Sequence, residues 1–279
     1  MLKLLTWRAR IAFWTIFAVI ASFLFLPLIW MGLTSIKPES EVFVRFPTLW
    51  PKTATMGSYT SLFARGDMVD NLKNSLITAG GGALLTVILA TYAAYSFAKF
   101  RYRGRKPLMF LMLSAQMFPF AMLLISLYPL LQQFGLLNTH LGLILAYIIL
   151  ALPSGTYMLY SYFINIPTEI IEAARADGAG ELYILHWIVL PLAMPALVTV
   201  GLYSFMWAWN DLLFSLTLIT KPELRTVGPG LLLSYIGESK SDWGGAMAAS
   251  IVSSLPVVIG FAFLQRFFIQ GLTAGAVKS

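Results

Sequence analysis

The placement of charge constrains this chain more than any motif does. Between Asn74 and Ala98 there is no Asp, Glu, Lys or Arg, and between Pro107 and Thr168 there is none either. A soluble domain needs a water-facing surface, and runs of this length cannot supply one. Only 11% of the 279 residues are charged, where soluble domains carry about 25%. The chain therefore reads as an all-α integral membrane protein.

Six membrane-spanning helices fit, over 11–36, 72–98, 107–131, 141–164, 192–219 and 246–270, each long enough for the roughly 20 residues a crossing needs. The stretch from 107 to 168 must hold two helices, because a single one would be about 90 Å long. The polar segment Gln132–His140 supplies the turn between them. Lys3, Arg8 and Arg10 precede an apolar run as in a signal peptide. That run, Ile11 to Ile36, is too long for a signal h-region and ends without a small-residue cleavage site. It is expected to be a retained first span.

Lys and Arg set the orientation. Lys99–Lys106 holds five basic residues in eight, and the amino terminus holds three, whereas the turn at 132–140 holds none. The amino and carboxyl termini, the 99–106 loop and the 165–190 loop are thus expected in the cytoplasm. The segment 37–71 is then an extracytoplasmic loop, and its Pro38, Pro47, Pro51, Trp50 and Tyr59 suggest an ordered one. The net charge of +7 sits in short clusters between spans. Topology explains it, and no nucleic-acid partner is expected. Gly80–Gly82 with Ala90, Ala94 and Ala98 form a small-residue face that favours close packing within the chain. Pro119, Pro129, Pro153, Pro195 and Pro256 are expected to interrupt or kink the later spans.

Several chemistries lack their residues. There is no cysteine, and the two histidines, His140 and His186, have no metal-ligand spacing, so no metal site is expected. No G-x-x-x-x-G-K-S/T phosphate loop is present, so this chain is not expected to bind ATP. No nucleophile–base arrangement suggests an enzyme.

The exception in this apolar chain is Glu172–Pro191, "EAARADGAGELYILHWIVLP". Pro167 suits the first turn of a helix, Glu169 and Glu172 lie near its positive end, and Gly178 can adopt the left-handed conformation that ends it. A short helix over 167–177, a turn, and a second helix running into Pro191 are expected. A solvated loop and a docking element both fit this pattern.

The spacing Glu172-Ala173-Ala174, Gly178, Ile188-x-Leu190-Pro191 resembles the EAA motif of ABC importer permeases. "NSLI" at Asn74, "GLLNTHLGLILAY" before the fourth span, "AWNDLLFSLTL" in the fifth and "LQRFFIQGLTAGAVKS" at the end resemble the second permease of maltose-type carbohydrate transporters. The resemblance implies a single permease domain over 1–279 with the type I importer fold, in the bacterial inner membrane. It implies a coupling-helix loop at 165–190, with Glu169, Glu172, Ala173, Ala174, Arg175, Asp177 and Gly178 docking on an ATPase. It further implies a cytoplasmic tail at 271–279 whose Thr273, Gly275, Ala276, Val277 and Lys278 reach the ATPase interface. The implied partners are a second homologous permease, two ATPase subunits carrying ATP and Mg, an extracytoplasmic solute-binding protein, lipid and a carbohydrate substrate moved by alternating access.

From the residues themselves, "GLTAGAVKS" is too polar to continue the sixth helix. Tyr203, Trp207, Trp209, Asn210 and Asp211 fall in the outer part of the fifth span, where aromatic faces and polar groups could line a sugar route. Asp211 could equally tie two helices together. Two other functions stay open: an importer permease for a non-sugar solute, and an ion-coupled secondary transporter, for which Asp211 is the one clear intramembrane carboxylate.

Overall fold

The computed structural model describes residues 7–236 and 242–276, with side chains described up to Gln265. In chain order the helices are α1 (Trp7–Ser35), α2 (Glu39–Val42), α3 (Gly57–Ala64), α4 (Asp67–Lys99) and α5 (Arg105–Ser114). They continue with α6 (Phe120–Gln133), α7 (His140–Phe163), α8 (Thr168–Ala176) and α9 (Glu181–Leu192). The last four are α10 (Met194–Trp209), α11 (Leu213–Leu218), α12 (Val227–Tyr235) and α13 (Trp243–Ala276). Among the described residues, four helices are long and apolar enough to cross a membrane, and six spans result when each of two bent pairs is counted as one.

The helices fall into two packing units, one gathering the chain up to Met68 with Leu231–Ser254, the other Val69–Gly230 with the chain from Leu255. In the first, α1 buries only Thr34 and Ser35, at its outer end. The loop after it is ordered by polar contacts. The Lys37 ammonium donates to Thr48 O and lies over the Trp30 ring. The Glu41 carboxylate accepts the amides of Lys52 and Thr53 at 2.8 and 3.1 Å.

In the second unit, α4 and α7 lie side by side because α4 is cut down to glycine where they meet. A β-carbon on Gly81 would come within 2.9 Å of Ile144, and one on Gly82 within 3.2 Å of Tyr147. Ala90 and Ala94 are wholly buried, so the small-residue face serves packing within the chain. Thr139 caps α7 by accepting the Gly142 amide at 3.0 Å. The chain folds back so tightly there that any side chain at position 142 would strike Leu136 O.

Three sequence expectations are corrected. The third span is not one helix: α5, with a 3-10 turn at Ala115–Met117, meets α6 at 100°. Pro119 cannot donate to the preceding turn and holds Phe118 extended at ψ 138°. Pro129, Pro153 and Pro256, by contrast, sit inside continuing helices. The fifth span does not run to residue 219. α9 and α10 meet at 81°, α10 ends at Trp209, and a turn leads into the short α11. Asp211 produces that ending, because its carboxylate accepts the amides of Phe214 and Ser215 at 3.2 and 2.8 Å and so starts α11. Finally, α13 runs through Ala276, so Gly271–Ala276 continue the helix instead of ending it. Leu272, Ala274 and Ala276 are strong helix formers and offset the two glycines there.

The outer end of the second unit is tied by side chains. Asn74 donates to Glu223 O and Arg225 O, both at 3.0 Å, and its carbonyl accepts His140 Nε2 at 3.0 Å. Ser75 Oγ accepts the Val227 amide at 2.8 Å. Asn138 Oδ1 accepts the amides of Thr220 and Lys221 at 2.7 and 3.0 Å.

Candidate functional site

The polar segment between α7 and α10 forms a rigid, outward-facing element. α8 is nine residues long, too short to persist alone in water. It persists because Ile171, 1% exposed, roots it in the bundle among Ala90, Ala94, Leu159, Phe163 and Ile184. Its end is closed by a Schellman turn. Gly178 stands at φ +87°, its amide donates to Arg175 O at 3.0 Å, and the Ala179 amide donates to Ala174 O at 2.9 Å. The expected helix at 167–177 is thus seen at Thr168–Ala176, and Gly178 adopts the expected conformation.

Glu181, the first residue of α9, is the joint of the element. Its Oε1 accepts Arg175 Nε at 2.6 Å across the turn, and its Oε2 accepts the Tyr95 hydroxyl of α4 at 3.0 Å. The Arg175 hydrogen bond holds the Glu181 carboxyl below its ordinary value, partly offset by burial and aided by Tyr95. The same bond raises Arg175. Lys99 Nζ donates to Ile166 O at 2.8 Å, fixing the point where the loop leaves α7. α9 then widens to π winding over Ile184–Val189 and buries Ile184, Leu185 and Val189. His186 Nδ1 lies 2.7 Å from Leu182 O, which can only accept, so that nitrogen carries the proton in the neutral ring. Nε2 then accepts the Tyr92 hydroxyl at 3.0 Å. Neither histidine is idle, and among the described residues no His, Asp or Glu cluster could hold a metal ion.

Of the sequence-derived docking residues, Glu169, Glu172, Ala173, Arg175, Asp177 and Gly178 are exposed, while Ala174 turns half inward. Ile171, Tyr95, Lys99 and Glu181 are the supports that residue reasoning did not assign. The opposite charges of Arg175 and Glu181 on either side of a turn glycine were the one local signal. Nothing near Tyr95 announces its role. Of the tail set, Val277 and Lys278 lie outside the described residues, and for Thr273, Gly275 and Ala276 only the backbone is described.

The five pathway candidates do not share one surface. Trp209 and Asp211 are buried, Tyr203 and Asn210 are exposed, and Trp207 lies between. Trp207 stands edge-on to Phe120, and Trp209 stacks on Phe205. Asn210 caps α10 by donating to Met206 O at 2.8 Å. Asp211 also accepts the Tyr147 hydroxyl at 3.1 Å, so both its oxygens are engaged within the chain.

A model of the family described as binding-protein-dependent transport system inner membrane component matches residues 82–274, which include every part of this element. The chain belongs to that family. It is the inner-membrane permease component of an ABC importer, a transport subunit and not a catalytic one. It is 36% identical to the inner membrane ABC transporter permease protein YcjP of Escherichia coli strain K12, over 97% of each chain. It is 34% identical to the trehalose transport system permease protein SugB of Mycobacterium tuberculosis, covering 96% of this chain and 98% of that one. A chain from a crystal structure of a bacterial ABC transporter that imports the acidic polysaccharide alginate superposes with a TM-score of 0.82, at 23% identity, covering 95% of this chain and 99% of the other. The fold is that of type I importer permeases.

Proposed function

We propose that this permease forms half of the translocation pathway for a sugar or oligosaccharide. A second, homologous permease supplies the other half, two ATPase subunits bind ATP and Mg, and an extracytoplasmic solute-binding protein delivers the solute. α8 is the coupling helix and seats in an ATPase groove through Glu169, Glu172, Ala173 and Asp177. The observation that carries this reading is the construction of α8: one residue, Ile171, is wholly buried, while Glu169, Glu172, Ala173 and Asp177 are exposed. The trehalose-transport relative supports the substrate class. ATP-driven closure of the ATPases moves α8, and the two permeases alternate between inward-open and outward-open states.

The test is uptake of radiolabelled trehalose, maltose and an amino acid into cells expressing the whole transporter. Sugar uptake that survives a protonophore and is lost on removing the ATPase gene supports the proposal. Sugar uptake that collapses with the proton gradient overturns the ATP-driven mechanism, and transport of the amino acid alone overturns the substrate class.

A further inference from the structure

We propose that the solute path on this chain is lined by the polar rail Gln116, Ser154, Tyr157, Ser161 and Asn165, and not by the aromatic cluster at the end of α10. The inference rests on the reading that the chain contributes half of a pathway, and adds which residues form it and what they select.

The rail begins where the third span breaks. Gln116 lies in the 3-10 turn between α5 and α6, exposed, and pairs with α7. Ser154 Oγ accepts from Gln116 Nε2 at 2.7 Å and donates to Oε1 at 2.9 Å. Ser154 stands about 21 Å along α7 from its outer start, near the middle of a membrane. From there Tyr157 and Ser161 follow on the same helix face, and Asn165 stands in the turn just past the end of α7. The Ser161 hydroxyl donates to Tyr157 O at 2.9 Å and Asn165 Nδ2 to Ser161 O at 2.7 Å, which leaves the two side-chain oxygens as acceptors. The other face, with Ala151, Gly155, Leu159 and Phe163, is buried in the bundle.

Hydrocarbon is a poor neighbour for this face. An amide without its full complement of partners costs about 4–8 kcal/mol in a medium that cannot hydrogen-bond. The bidentate pair with Ser154 uses one N–H and one acceptor site of Gln116 and leaves another of each outward. Broken helices are tolerated at membrane depth where they line a cavity or are covered by protein. The rail ends at Asn165, the first residue of the proposed coupling loop, and so connects mid-membrane to the element that would meet the ATPase.

Its chemistry selects a class of solute. Amides, hydroxyls and the exposed Tyr157 ring can bond the hydroxyls and cover the apolar face of an uncharged polyol. The rail has no Lys or Arg to compensate a carboxylate or phosphate, so the half-path from this chain favours neutral sugars over acidic ones.

The chain has no cysteine, so single-cysteine variants need no background changes. Ser154→Cys and Ser161→Cys are near-isosteric and keep the fold, and Ile149→Cys, at an exposed apolar position of α7 away from the rail, serves as the control. The complete transporter in membrane vesicles opened by freeze–thaw is treated with a charged methanethiosulfonate reagent. A thiol in hydrocarbon stays protonated and unreactive, so positions 154 and 161 are expected to label at least about tenfold faster than 149. Equal labelling at all three, fast or slow, overturns the rail. If 154 and 161 label selectively while trehalose and maltose are not transported, the sugar assignment fails and the water-lined path stands. If sugars are transported and labelling is equal, the rail alone is wrong.

Discussion

The cytoplasmic loop from Ile166 to Ala193 and the outer turn from Asn210 to Val227 share two parts, a short helix and a carboxylate that accepts hydrogen bonds. They direct their polar groups in opposite ways. In the outer turn Asp211 is 9% exposed, and Tyr147, Phe214 and Ser215 occupy its oxygens, while Asn74 and Asn138 bind the following backbone. In the cytoplasmic loop Arg175 and Glu181 keep 40% and 37% of their side chains exposed, and Glu169, Glu172 and Asp177 point away from the chain. The outer turn is a fastener within one chain. The cytoplasmic loop is anchored at its root by Ile171 and leaves its charges at the surface, as the proposed docking role requires.

Substitutions should separate the two. Asp211→Ala leaves two amides and a hydroxyl without an acceptor at about 1–3 kcal/mol each. A large fall in the melting temperature of the purified complex, or loss of the chain from the membrane, is the expected result. Asp211→Asn retains an acceptor and should fall in between. If Asp211→Asn instead leaves assembly intact and changes which solutes enter, Asp211 belongs to the pathway and the comparison breaks. Asn74→Leu, similar in size, strips the donors from Glu223 O and Arg225 O and should cost about 1–3 kcal/mol. Uptake per folded complex should stay close to normal, and a selective transport defect would argue against a purely structural clamp.

Gly178→Val places a β-branched residue at φ +87°, a strain of roughly 1–2 kcal/mol. The effect on stability is smaller than at Asp211, yet transport should fail in a chain that still inserts, alongside a weaker pull-down of the ATPase. Normal uptake in this variant removes the coupling role from α8. The smallest effect belongs to Arg175→Gln. Because Glu181 is held below its ordinary value of 4.5, the pair contributes fully above that pH and is lost as pH falls through the lower folded value. Both groups are more than a third exposed, so the contribution is below about 1 kcal/mol. Thermal unfolding of wild type and variant should differ slightly at neutral pH and converge in acid.

The same contrast explains what the sequence could tell. α8 is governed by its own residues, a proline at its start and a glycine after its end, and its limits were legible to within a residue or so. The end of α10 was not. Leu212–Ile219 is as apolar as the helix before it, and hydropathy is blind to a turn inside an apolar run. Asp211 marks the turn only once its bonds to Phe214 and Ser215 are seen. Pro119 breaks a helix where Pro129 and Pro153 do not, because the outcome depends on what the flanking residues meet across the bundle: Gln116 finds Ser154, and Phe120 finds Trp207 and Phe214. The rail was illegible for the same reason. Serines and a tyrosine spaced along an apolar helix acquire meaning only when the opposite face is known to be buried.

Glu181 holds Tyr95 near one end of α4, and Asn74 and Ser75 hold the outer turn near the other. Those two fixings lie about 32 Å apart on a single helix with no proline and no change of winding. Mechanically α4 is a connecting rod with a bearing on each face of the membrane. On the proposed coupling role of α8, a thrust on it would pass through the carboxylate of Glu181 to the rod and reach the backbone of Glu223 and Arg225.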